Sequence, residues 1–151
     1  MAPLSPAARS VAIRLLARGR AAAEAQQASP DSLGVAEMVG RQLASTLSRW
    51  FGPYGYHALL TRALADALVT HPALGSVRVQ TPTDPALVGL AEAASTHGVE
   101  ATMEGVTTVL ATIVELLGRL IGEDLAMNLM EQAVPDVTAG DANATAQERP
   151  S

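Results

Sequence analysis

The chain of 151 residues contains no cysteine and no lysine, and only four of its residues are aromatic. Without cysteine there is no disulfide, no thiolate nucleophile and no zinc–thiolate centre. Without lysine there is no Walker lysine, and neither G-x-x-x-x-G-K-S/T nor G-x-G-x-x-G occurs. All ten basic residues are arginine, which fits a GC-rich bacterial genome. No run of about 20 apolar residues is present, so no membrane span is expected. The best stretch, Val106 to Ile121, is interrupted by Glu115 and Arg119. The stretch before Glu24 carries no acid and includes Arg9, Arg14, Arg18 and Arg20. It resembles a transit peptide only superficially and lacks the apolar core of a secretory signal. The expected location is cytoplasmic.

What is there points to helices. Hydrophobic residues make up 48% of the chain and aromatics 3%, so the core must be aliphatic, with many alanines and leucines. Both have high helix propensity. Pro6 opens a first helix to about Ala28, with Ser5 as its cap. Ser29-Pro30-Asp31-Ser32 breaks it and caps a second, carrying Val35, Val39, Leu43, Leu47 and Trp50 to about Phe51. Gly52-Pro53 stops that helix, and a third runs from Tyr54 with Leu60, Leu64, Ala67 and Leu68 on one face, to Pro72. From Ala73 to Thr83 the alternation is too short for more than an extended loop. Asp84-Pro85 opens a short helix to about Thr96, and Gly98 separates it from the most apolar segment.

That segment, about Val99 to Ile121, places Val99, Met103, Val106, Leu110, Ile113, Leu117 and Leu120 at alternating spacings of four and three. This is a heptad seam. Val109, Val114, Leu116 and Ile121 lie off it, so the helix is apolar on more than one side. Such a helix is central in a bundle or shared between two subunits. Glu123-Asp124 starts a last helix to about Val134, ended by Pro135. The expected fold is all-α: a compact bundle of about four core helices plus one or two short ones over residues 1–135. The tail 136–151, with the sequon Asn143-Ala144-Thr145, has no aliphatic pattern and reads as disordered.

Catalytic constellations are sparse. His57, His71 and His97 share no close spacing, and no serine occupies a G-x-S-x-G elbow. His97, Glu100 and Glu104, with Glu92 one helix earlier, are the one grouping with metal-ligand character. Dimetal bundles, however, carry Glu-x-x-His on their helices, and here the order is reversed with no second copy. The expectation is therefore no metal, no cofactor and no catalytic residue. An isolated helical histidine is far more often a surface or core residue than a base.

Two features are distinctive. Trp50, Phe51, Tyr54 and Tyr56 are the whole aromatic content, gathered around Gly52-Pro53. They read first as a plug for the corner and second as a recognition patch, and can be both. Charge is also uneven. Residues 1–28 hold four arginines against Glu24, whereas Asp84 to Glu148 holds eleven acids against Arg119. On the first helix, Ala8, Val11, Ala12, Leu15 and Leu16 form an apolar arc bordered by arginines. Packing on its own acidic bundle is the commoner fate of such an arc, ahead of peripheral membrane contact. The acidic total disfavours nucleic acid. Arg62–Asp66 and Glu115–Arg119 are spaced to pair along a helix.

The leading expectation is a non-catalytic interaction or regulatory module, a homodimer built on the seam at 99–121. A bundle binding a small apolar ligand among Met103, Met127, Met130 and the aromatic corner comes second. A metal-dependent enzyme at His97, Glu100 and Glu104 comes third.

Overall fold

A computed structural model describes residues 6–25, 32–81 and 87–134. Five helices carry the fold: α1 (Pro6–Ala25), α2 (Ser32–Thr70), α3 (Leu90–His97), α4 (Val99–Ile121) and α5 (Glu123–Ala133). The all-α expectation holds. The caps at Ser5 and Asp31, the Asp84-Pro85 pair and the tail from 136 lie outside the described residues. No described helix is long and apolar enough to cross a membrane.

The periodicities read from sequence decide which faces are covered. On α1, Ala8, Val11, Ala12, Leu15 and Gly19 are buried, and on α2 Val35, Val39, Leu43 and Leu47 follow at every fourth position. Both sets lie on one face of a helix of 3.6 residues per turn. α4 differs: every residue from Gly105 to Val114 is buried. It packs against α1, α2, α3, α5 and the 3-10 turn Pro72–Ser76, so it is the axis of the bundle.

Burying a whole helix also buries its polar side chains. Thr102, Thr107 and Thr112 donate to the carbonyls of Gly98, Met103 and Thr108 at 2.9, 2.9 and 2.7 Å. Each hydroxyl is thereby satisfied inside the helix that carries it. Thr108 instead meets His71 Nε2 at 2.8 Å, tying the end of α2 to the middle of α4.

Three corners turn on single glycines. Gly52, Gly98 and Gly122 have φ of 78°, 95° and 95° with ψ near 150°, a conformation essentially reserved for glycine. Gly98 donates its N–H to Ala94 O and accepts from Thr102 N–H, and Gly122 does the same between Gly118 and Ala126. One residue thus ends one helix and begins the next. Nothing lies within 4 Å of a Cβ built on any of the three, so the demand for glycine comes from φ alone. At Gly52 the two expected helices abut directly at a kink and form two arms of α2. Pro53 follows at the first position of the second arm, where its missing N–H costs least.

Three local expectations are corrected. Arg78–Val79 and Leu87–Val88 form a two-residue antiparallel ladder, Arg78 opposite Val88, in place of a plain extended loop and of the start of the short helix. The helix begins only at Leu90, after Gly89 with φ 91°. A Cβ there would lie 2.4 Å from Ser76 O, so the ladder closes only because backbone meets backbone at that point. Arg62 and Asp66 pair at 3.5 Å as their spacing predicts, whereas Leu68, expected on the apolar face with Leu60, Leu64 and Ala67, is exposed.

Helix directions follow from a few contacts. Gly19 lies against Val39, so stepping about eleven residues, roughly 16 Å, back along α1 and onward along α2 brings Ala8 and Trp50 to one level. A Cβ on Gly105 would touch Leu74 at 2.7 Å and His71 reaches Thr108, so α2 ends beside the middle of α4. Ala8 shares a cleft with Gly118, Arg119 and Glu123 at the α4–α5 junction. The Gly52 corner, the start of α1 and the α4–α5 junction therefore share one end of the bundle.

Candidate functional site

The structure divides the aromatic cluster. Tyr56 is 1% exposed and joins the core with Leu59, Leu60 and Ala63. Burial pushes its phenol above the ordinary tyrosine range. Phe51 is half-buried against the same core. Trp50 and Tyr54, however, are 59% and 67% exposed. The cause is local. The apolar face at Val39, Leu43 and Leu47 would continue at Trp50 or Phe51, and the turn at Gly52 lets only Phe51 follow it inward. Tyr54, two residues past the turn, falls on the outer side of the new arm.

The heptad seam is divided too. Val106, Leu110, Ile113 and Leu117 are buried inside this one chain, and Met103 is half-buried. Val99 is exposed, and Leu120 is 67% exposed. The middle of the seam is therefore not a free face, and its last member comes out beside the α4–α5 junction, at the end that carries Trp50 and Tyr54. Two separate sequence features thus share this end, which also carries the exposed residues Arg49, Arg119, Glu123 and Asp124.

A cleft of about 330 Å³ opens at this end. Ala8, Val114, Gly118 and Met127 form its apolar part, and Glu115, Arg119 and Glu123 supply charge. Sequence reasoning missed it, because its walls come from three helices whose approach no local pattern encodes. Of the three methionines expected around an apolar ligand, Met127 lines this cleft, Met130 is fully buried and Met103 does not line it.

His97, Glu100, Glu104 and Glu92 are all exposed. Among the described residues no three histidine, aspartate or glutamate side chains come together in a metal-holding arrangement. None of the three histidines lines the cleft. The basic arc of α1 is spent on its own bundle. Its apolar residues are buried, Arg14 and Arg18 approach Glu131 at 3.4 and 3.3 Å, and Arg18 also donates to Val134 O at 3.4 Å. A guanidinium at the carbonyl end of α5 satisfies an orphan acceptor and complements the helix dipole. No protein-family model, curated protein or solved structure matches the chain.

Proposed function

We propose that this chain is a non-catalytic protein-interaction module that works as an adaptor or regulator, docking its partner on the apolar end formed by Trp50, Tyr54 and Leu120. The carrying observation is that two of only four aromatic residues stand in solvent. They do so on a corner held by a glycine-only conformation, at the end of the bundle where Leu120 is also exposed. Exposed tryptophan and tyrosine with a charged rim are the composition of an interface centre. A bundle whose core is already closed by its own aliphatic residues and Tyr56, with Trp50 and Tyr54 left outside, is also well suited to binding without reorganisation.

The test is site-specific photocrosslinking in the cells that make the protein. A photoreactive phenylalanine analogue placed at position 50, 54 or 120 is expected to give one discrete protein adduct. The same analogue at the exposed positions Ala65 and Ala91 serves as the control. Adducts of equal yield from all five positions, or from none, would sink the reading.

A further inference from the structure

We propose that the partner on this end is a second copy of the chain, with Trp50 of each copy seated in the cleft of the other. The inference rests on the reading of the aromatic end as a docking surface and adds to it the occupant and the register.

The end carries both a knob and a hole. Trp50 projects from the close of the first arm of α2 and is 59% exposed. The cleft between α1, α4 and α5 opens at the same end, and at about 330 Å³ it admits an indole. Because both features lie at one end of the bundle at different places, a two-fold axis between them can satisfy both contacts at once, which is the geometry of an isologous dimer.

The chemistry of the cleft fits that side chain. Val114, Met127, Ala8 and Gly118 offer apolar contact to the ring. The carboxylates of Glu115 and Glu123 offer acceptors to an indole N–H, which is a donor only. Arg119 offers a cation to the ring face. Charge extends the match, since Arg49 adjoins the knob while Glu123 lines the hole and the exposed Asp124 follows it in the chain. None of these three forms an ion pair among the described residues. A cation beside the knob and anions at the hole pair across a two-fold axis. The same carboxylates oppose an anionic membrane or a nucleic acid.

Gly118 allows the cleft to be closed without disturbing the fold. A Cβ there meets only Glu123, at 3.9 Å, which is ordinary contact. Mass in solution is measured by light scattering behind size exclusion, with helical circular dichroism as the folding control. The unaltered chain is expected at twice 15.6 kDa. Trp50→Ala, lacking the knob, and Gly118→Leu, lacking the hole, are each expected to weaken self-association by about 30-fold while staying folded. Mixed in equal amounts, they restore one of the two contacts, so the mixed dimer is expected to be only about 5-fold weaker than the unaltered one. The Trp50 kept by the Gly118→Leu chain enters the open cleft of the Trp50→Ala chain, and the truncated side chain of the latter faces the filled cleft.

A monomer at every concentration overturns the pairing, and so does a dimer indifferent to both substitutions. A mixture that associates no more tightly than either variant alone overturns the register. A crosslink from position 50 with a mass other than two chains overturns the second copy while leaving the docking surface standing. The absence of any crosslink sinks both.

Discussion

The middle of α4 and the corner of α2 are both conspicuously apolar in sequence, and the fold treats them in opposite ways. From Gly105 to Val114 every side chain is buried, even the threonines. Around Gly52, half of the aromatic residues of the chain are left outside. α4 has a neighbour on every side, so its off-seam valines and its seam residues are covered by the same chain. The corner has neighbours on one side only, and the turn at Gly52 fixes which residues face them. Apolarity at helical spacing therefore shows that a residue wants cover, while the arrangement of helices decides whether the chain itself supplies it.

The comparison is broken most severely from the inside. Leu117→Ala is expected to cost about 2–5 kcal/mol in urea unfolding, because Leu117 is fully buried and the neighbouring helices collapse only partly into the space. Leu117→Asp is expected to abolish the folded state altogether, so the loss of assembly it causes would be a loss of the protomer. A folded, soluble Leu117→Asp chain would show that α4 is not the axis.

The elbows come next. Gly122→Ala places a Cβ in open space yet forces alanine to φ 95°, and the expected loss is about 1–3 kcal/mol from strain alone. Gly105→Ala has the opposite cause. Its helical backbone suits alanine, but the new methyl lies 2.7 Å from Leu74, and overpacking is expected to cost about 1–3 kcal/mol. The two are separated by a second change, since Leu74→Ala in the same chain relieves Gly105→Ala and leaves Gly122→Ala untouched.

Most of the bundle was legible for physical reasons that these variants share. Helix faces at Val35, Val39, Leu43 and Leu47, or at Ala8, Val11 and Leu15, are set by a period that sequence carries directly. The stops at Gly52, Gly98 and Gly122 were equally plain, since glycine marks them. What was not legible lies between elements. The ladder of Arg78–Val79 with Leu87–Val88 depends on Gly89 meeting Ser76, a contact no local pattern announces. The buried threonines of α4 were overlooked because a hydroxyl reads as surface until its own helix backbone is counted as its partner. Of the candidate site, Trp50, Tyr54 and Leu120 were all singled out, but as parts of two separate features. Their meeting at one end follows from helix directions, and the cleft beside them from three helices at once.

Tyr56, buried two residues from the exposed Tyr54, sharpens the contrast within a single turn of helix. Burial raises the phenol pKa of Tyr56 in the folded chain, so the folded state holds its proton more tightly than the unfolded state does. That contribution is fully present below the unfolded value of about 10 and is lost as pH climbs above it. Stability is therefore expected to fall on the alkaline side. In Tyr56→Phe that limb should flatten in urea titrations between about pH 9 and 11. An unchanged alkaline limb in Tyr56→Phe would place the Tyr56 hydroxyl in water.

The smallest expected effect on stability belongs to the largest side chain. Trp50→Ala removes an indole that is 59% exposed and makes no core contact of the kind Tyr56 makes, so its change in unfolding free energy should stay within about 0.5 kcal/mol. The same holds for Tyr54→Ser and Leu120→Ser, provided the measurements are made dilute enough that assembly adds nothing. Trp50 also reports on itself, being the sole tryptophan. In dilute folded protein its emission should already resemble that of a solvated indole and shift little on unfolding, and it should move to shorter wavelength as the chain is concentrated. A blue-shifted emission in the dilute monomer would mean that the corner is covered from within. The two apolar regions would then differ only in degree.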